Sequence, residues 1–172
     1  MTTLAVSFVK NLMFLLLFLP LLSNAQIQAK LEDKNIITST VLQESTEVLM
    51  GEIKMSLGGQ LITSGLGPCS ALAVVYDGRI LLGHVGPIDT NEKIVSALNN
   101  FTKDVQDLSL VKVYVLPGWT MSTLTTNIIF GALMDANLIK RAVFFNSMPN
   151  PFDTFGINEN GPIYIKSDRQ PR

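Results

Sequence analysis

An α/β (α+β) domain is the fold class the sequence predicts: one layered unit with a central mixed β-sheet or sandwich, flanked by two helices. Three observations carry that expectation. Asp77-Gly78 separates two apolar runs, a strong hairpin signal because a tight I′ turn needs positive φ at both central residues. Ile94, Leu98, Phe101 and Val105 recur at helical spacing, and Ile128, Ile129, Leu133 and Ala136 suggest a second helix. Further apolar stretches at 110–116, 141–146 and 161–166 have strand length and lie around those helices.

Lys10 is the only charge ahead of an apolar run over 12–22, and Ser23-Asn24-Ala25 supplies small residues at the two positions a signal peptidase reads. Residues 1–25 are therefore expected to be a secretory signal peptide, the run being short for a membrane span; an uncleaved N-terminal anchor is the alternative. Residues 26–172 then form a single domain, secreted or periplasmic, with no stable membrane association after cleavage.

Residues 26–35 are polar and expected to be a loose leader. Over 36–55 the apolar residues Val41, Val48, Leu49 and Ile53 have mixed period, so strand, short helix or both fit. Leu57-Gly58-Gly59-Gln60 is a turn before a short strand at 61–63. The glycine-rich loop 64–68 follows, delivering the chain to the hairpin arms 69–76 and 79–84. Those arms are apolar on both faces: Leu72, Val74 and Leu81 on one, Ala71, Val75, Ile80 and Leu82 on the other. Such strands are covered on both sides. Gly86-Pro87 ends the second arm, and Asp89 or Thr90 is placed to cap a helix over about 90–104. A strand at 110–116 is closed by Pro117-Gly118. Ser122 or Thr123 caps the second helix, which ends near Asn137. A strand at 141–146, a Pro- and Asn-rich loop, a last strand at 161–166 and a solvated tail complete the reading.

Thirteen Lys and Arg against fourteen Asp and Glu give a net charge of −1, which does not point to nucleic acid or to an anionic surface. One cysteine excludes an internal disulfide. One cysteine and one histidine do not make a zinc site without several carboxylates, and neither a P-loop nor a dinucleotide fingerprint is present, so no metal or cofactor is expected.

That single cysteine and single histidine, Cys69 and His84, fall on the two arms of the hairpin. A two-residue loop pairs Tyr76 with Arg79 and Ala71 with His84, which places Cys69 and His84 on one face as diagonal neighbours, with Cβ atoms roughly 7 Å apart. A thiol beside an imidazole is the minimal apparatus for nucleophilic acyl chemistry: the imidazole takes the thiol proton and later protonates an amine leaving group. Gly65 and Gly67 permit close approach of a substrate to the backbone, and N–H groups of that loop and of Cys69 are candidate oxyanion donors; Pro68 has no N–H to offer. The competing reading makes Cys69 a small buried hydrophobe and His84 a satisfied polar group. Trp119, Asp77, Asp89 and Glu92 read as packing, turn and capping residues, and Asn100-Phe101-Thr102 matches an N-glycosylation acceptor.

Thr63-Ser64-Gly65-Leu66-Gly67-Pro68-Cys69 resembles the Thr-x-Gly-Leu-Gly-Ser-Cys stretch of the chemoreceptor glutamine deamidase family (CheD), in which a catalytic His follows on the next strand. The fifteen-residue step from Cys69 to His84 is also similar to the catalytic domain of the cytotoxic necrotizing factor toxins, fold relatives that deamidate a glutamine of Rho-family GTPases. The motif similarity covers about residues 60–90, with Asn127 a further match in a helix start. Pro68 stands where the family has Ser, and Gly86-Pro87 where it has Met-Leu-Pro. The resemblance implies a CheD-like fold and a secreted cysteine-dependent protein-glutamine deamidase, an effector or toxin. Cys69 is then the nucleophile, His84 the general base and acid, and Thr63 the residue orienting His84. The implied partner is a protein carrying a target glutamine, with small GTPases as candidates. A non-catalytic binding module on the same scaffold and a cysteine hydrolase of other specificity are the rival readings.

Overall fold

Asp77 and Gly78 both adopt positive φ, 47° and 71°, and turn the chain between β5 (Ser70–Tyr76) and β6 (Arg79–Val85). The ladder pairs Tyr76 with Arg79, Ala71 with His84 and Ser70 with Val85, the register the two-residue loop predicts. The structure is a computed structural model; it describes residues 28–29, 45–120, 123–167 and 169. The signal-peptide reading, most of the leader and the first part of the 36–55 segment lie outside the described residues.

Around that hairpin, two mixed sheets and two α-helices are built among the described residues. The larger sheet runs β1 (Gln28–Ala29), β8 (Ala142–Phe145), β7 (Lys112–Pro117), β5, β6, β3 (Ile53–Leu57). β1, β8 and β7 are mutually parallel, and the β7–β5–β6–β3 ladders are antiparallel. The smaller sheet runs β10 (Gly161–Ile165), β9 (Thr154–Asn158), β4 (Gln60–Ser64), β2 (Ser45–Glu47), with β4 and β2 parallel.

Period-two alternation gives the larger sheet two apolar faces. Leu72, Val74, Leu81, Val85, Val113 and Val115 pack against α1 (Asn91–Thr102) and α2 (Thr123–Asp135). Cys69, Ala71, Ala73, Ile80, Leu82 and Leu116 face Leu61, Phe155, Ile157 and Tyr164 of the smaller sheet. The layers are helices, sheet, sheet. Both faces of the hairpin are covered, as its uninterrupted apolar arms require.

Local chemistry fixes the helix ends. Thr90 is the N-cap of α1, its hydroxyl accepting from Lys93 N, and Ile94, Leu98 and Phe101 form the buried stripe. Asn137, at φ 57°, stops α2: Leu138 N–H donates to Leu133 O at 2.8 Å and Asn137 N–H to Met134 O at 3.0 Å, the paired bonds of a left-handed helix stop. The proposed cap Ser122 lies outside the described residues, and Thr123 is the first residue of the helix.

Two strands depart from the sequence reading: β1 lies in the stretch expected to be a loose leader and pairs in parallel with β8, and β9 arises within an expected loop. The Pro- and Asn-rich loop contains β9, which sits between β10 and β4 in the smaller sheet. Its sequence Thr-Phe-Gly-Ile-Asn is short and broken by Gly156. A side chain there would press on Leu61 O and the Ile62 methyl, so close approach to β4 demands the very residue that disguises the strand. Pro162 is tolerated in β10 because β10 is an edge strand.

Phe155 is fully buried, pairs with Thr63 in register and meets Phe145 edge-on with ring centroids 6.4 Å apart. Phe155→Ala is expected to cost about 3–5 kcal/mol of stability, read from denaturant melts, because the inter-sheet core cannot close over so large a void.

Candidate active site

Thr63 and His84 come from different sheets. Thr63 follows Leu61 by two residues on β4 and shares its inward face; His84 follows Ile80 and Leu82 on the inward face of β6. Stacking the sheets brings Thr63 Oγ1 to 2.8 Å from His84 Nδ1. The same hydroxyl donates to Val48 O at 2.8 Å, and Val48 N–H donates to Ile62 O at 2.8 Å, locking the segment after β2 onto β4. A hydroxyl has one proton, and a carbonyl oxygen can only accept. The Thr63 proton therefore goes to Val48 O, so Nδ1 carries a hydrogen and donates to Oγ1. The other ring nitrogen, Nε2, is then the basic one. It is buried and has no hydrogen-bond partner.

The backbone of His84 is held as firmly as its ring. Its N–H donates to Glu52 O at 3.0 Å, and its carbonyl accepts from Gly51 N–H at 2.8 Å. Cys69 stands one residue before β5, on the same inter-sheet face as Ala71, whose direct partner is His84. Thiol and imidazole thus share a face, as the register predicts. They do not hydrogen-bond through Nε2.

The glycine-rich loop before Cys69 is strapped down along its carbonyl side. Trp119 N–H donates to Leu66 O at 2.7 Å, the Thr120 hydroxyl to Gly67 O at 2.9 Å, and the Thr125 hydroxyl to Pro68 O at 3.3 Å. Gly118 lies so close beneath it that a Cβ there would run into the carbonyl oxygens of Leu66, Gly67 and Cys69. Leu66 is fully buried and anchors the loop to the core. Of the two glycines expected to serve a substrate, Gly65 is exposed at φ 72° and Gly67 is half-buried. Gly67 N–H already donates to Gly65 O at 2.8 Å, which removes it from the oxyanion donors of this conformation.

Asp89 is the site residue that sequence reasoning took only for a cap. Its carboxylate accepts from Gly86 N–H at 2.7 Å and from Lys93 Nζ at 2.6 Å, and its side chain is 7% exposed. Lys93 Nζ also donates to Gly51 O, joining the turns on either side of His84. Burial pushes the Cys69 thiol above its ordinary value, and the Asp89 charge adds to that push. Burial holds the His84 imidazole below its ordinary value, with Asp89 acting in the opposite sense. At neutral pH the pair therefore rests as thiol and neutral imidazole, so His84 would act as a base during attack rather than as a preformed imidazolium. The one sequence signal for Asp89 was its position five residues after His84, which a capping role already explained.

Cys69 and His84 are 1% and 4% exposed, and Thr63 is fully buried. The three side chains are thus enclosed by the loops over this end of the sheets. Those loops carry exposed large apolar side chains: Leu49 and Met50 after β2, Ile88 in the turn after β6, and Trp119 beside the glycine-rich loop. No group of three or more His, Cys, Asp or Glu able to hold a metal exists among the described residues. No helix among them is long and apolar enough to cross a membrane. The chain matches no protein-family model and no curated protein.

Nitrogen-15 shifts of His84, the chain's only histidine, are expected to report the Nδ1–H tautomer at pH 7; Thr63→Val is expected to abolish that preference and to cost about 1–3 kcal/mol by stranding the ring N–H. Asp89→Asn keeps an acceptor for Gly86 N–H but removes a charge that favours imidazolium and opposes thiolate. Both the Cys69 and the His84 titration midpoints are expected to move down, followed by the pH dependence of thiol alkylation and by NMR respectively.

Proposed function

We propose that this chain is a cysteine amidohydrolase of the glutamine-deamidase kind. The observation that carries the reading is the orientation of His84: Nδ1 bound to Thr63, Nε2 basic and without a partner, on the face that bears Cys69. In this reading Nε2 takes the thiol proton as Sγ attacks the side-chain amide carbon. The tetrahedral intermediate collapses with Nε2–H protonating the nitrogen, which leaves as ammonia. Water, deprotonated by Nε2, then hydrolyses the thioester to glutamate and restores the thiol. Thr63 holds the ring through both proton transfers, and Asp89 favours the transient imidazolium.

The resemblance of residues 63–69 to the chemoreceptor deamidases and the spacing to His84 support a CheD-like scaffold and a protein substrate. The exposed apolar side chains around the site fit a macromolecular partner, because such clusters on a surface mark interaction sites. With the N-terminal 25 residues acting as an export signal, the protein would be a secreted effector or toxin, and small GTPases are candidate targets. A second reading, a binding module with an inert thiol, is favoured by the 1% exposure of Cys69 and by its raised pKa.

The test is incubation of the purified protein with a panel of small GTPases, reading ammonia and intact mass. A gain of about one mass unit marks each Gln→Glu conversion. Cys69→Ser and His84→Ala are each expected to lower the rate at least about 100-fold, the scale of a lost nucleophile or general base. Alkylation of Cys69 that is slow, indifferent to loss of His84 and accompanied by no ammonia from any substrate would establish the binding module instead.

A further inference from the structure

The edges of the two sheets are not defended alike. In the larger sheet β8 is covered by the parallel strand β1. In the smaller sheet β10 carries Pro162, and β2 is only three residues long. β3, with the sequence Ile-Lys-Met-Ser-Leu, has neither proline nor glycine, and among the described residues no strand pairs with its outer side. Natural proteins usually blunt such an edge, because its unpaired N–H and C=O groups are a template for another strand.

The ladder fixes which groups are unpaired. His84 bonds the chain just before β3, its N–H donating to Glu52 O and its carbonyl accepting from Gly51 N–H. Bonding alternates along an antiparallel strand, so Leu82 and Ile80 bond their register partners Lys54 and Ser56. The amides and carbonyls of Ile53, Met55 and Leu57 therefore point away from the sheet. Met55 and Leu57 are 43% and 81% exposed, and they border a hollow of about 290 Å³ beside Phe101. Lysine on an edge strand ordinarily discourages pairing. Lys54 is turned aside from that duty: its Nζ donates to Glu47 O at 2.7 Å and pairs with Glu52 at 2.9 Å.

The strand suits a second copy of itself. An antiparallel pair about a two-fold axis can centre on Lys54, Met55 or Ser56. Centring on Lys54 sets like charges face to face, which is destabilising. Centring on Ser56 carries Ile53 past the end of the strand. Centring on Met55 sets it opposite its own copy, matches Ile53 to Leu57 in both directions, and closes about six hydrogen bonds. Lys54 then faces Ser56, and the apolar side chains meet on one face of the sheet.

We propose that β3 pairs with β3 of a second copy in this Met55-centred register, joining two six-stranded sheets into one. The register also sets Glu52, whose carbonyl holds the His84 N–H, opposite Gly58 of the second copy, so each copy braces the turn that frames the other's imidazole. The inference stands apart from the amidohydrolase reading. Paired short strands make a small interface, so a dissociation constant on the order of 10 μM is expected.

Sedimentation of the purified wild-type chain across that range is expected to show a monomer–dimer equilibrium. Hydrogen exchange, read by NMR at both ends of the range, supplies a test that needs no variant. The amides of Ile53, Met55 and Leu57 are expected to be protected only in the concentrated sample, and those of Lys54 and Ser56 in both. Met55→Lys and Met55→Glu each set like charges on the two-fold axis and are each expected to weaken association at least about tenfold. An equimolar mixture of the two opposes Lys to Glu and is expected to restore the dimer. A chain that stays monomeric at ten times the expected constant would overturn the proposal. So would new protection at β2 or β10 instead of β3, a dimer that survives both substitutions, or a mixture no more associated than its components.

Discussion

A single side-chain hydroxyl joins the two sheets at the point where the chemistry is proposed to occur. Thr63 stands on the smaller sheet, His84 on the larger, and the Thr63 proton is committed to Val48 O, which turns the imidazole so that its hydrogen sits on Nδ1. A polar contact of this kind inside an apolar interface is costly unless all its members are satisfied. Here every group is satisfied but one, the Nε2 lone pair. The core around it, from Leu61 and Leu82 to Phe155, determines how closely the sheets pack and therefore whether the contact exists at all.

The loop before Cys69 obeys a second constraint of the same sort. Its carbonyls are consumed by Trp119, Thr120 and Thr125, and the absent side chain of Gly118 leaves room for it. Gly118 to Thr120 and the first turn of α2, 53–57 residues further along the chain, thus fix one short stretch of backbone. A glycine-rich loop is flexible in isolation; this one is set by what lies beneath it. The internal bond from Gly67 N–H to Gly65 O belongs to that arrangement. An oxyanion would have to be met by other donors or by a rearranged loop.

Burial shapes the electrostatics. A thiol raised and an imidazole lowered by desolvation rest uncharged together, which is the cheaper state for an enclosed pair. Asp89, tied to Gly86 and Lys93, places one negative charge near both and so favours the imidazolium that a proton transfer would create. Lys93 links the turn that carries Asp89 to the turn at Gly51.

Much of this molecule was legible from local signals. Asp77-Gly78 set the hairpin register because positive φ at two adjacent residues leaves few turns available, and that register put Cys69 on the face of His84. Periodicity located α1, and Asn137 marked the stop of α2. The strand β9 was not legible, since Gly156 and its polar flanks look like a loop until β4 is seen to need the close approach. Only a family resemblance points to Thr63, and the sequence marks Asp89 as no more than a cap, because neither residue's distance to His84 is encoded in spacing along the chain. Alternation and turn chemistry act over a few residues, so the sequence by itself determined which side chains share a face. Which faces meet is decided by how two sheets stack over a common core, and only the tertiary structure brought Thr63 to the imidazole, Gly118 beneath the loop, and Asp89 beside the pair.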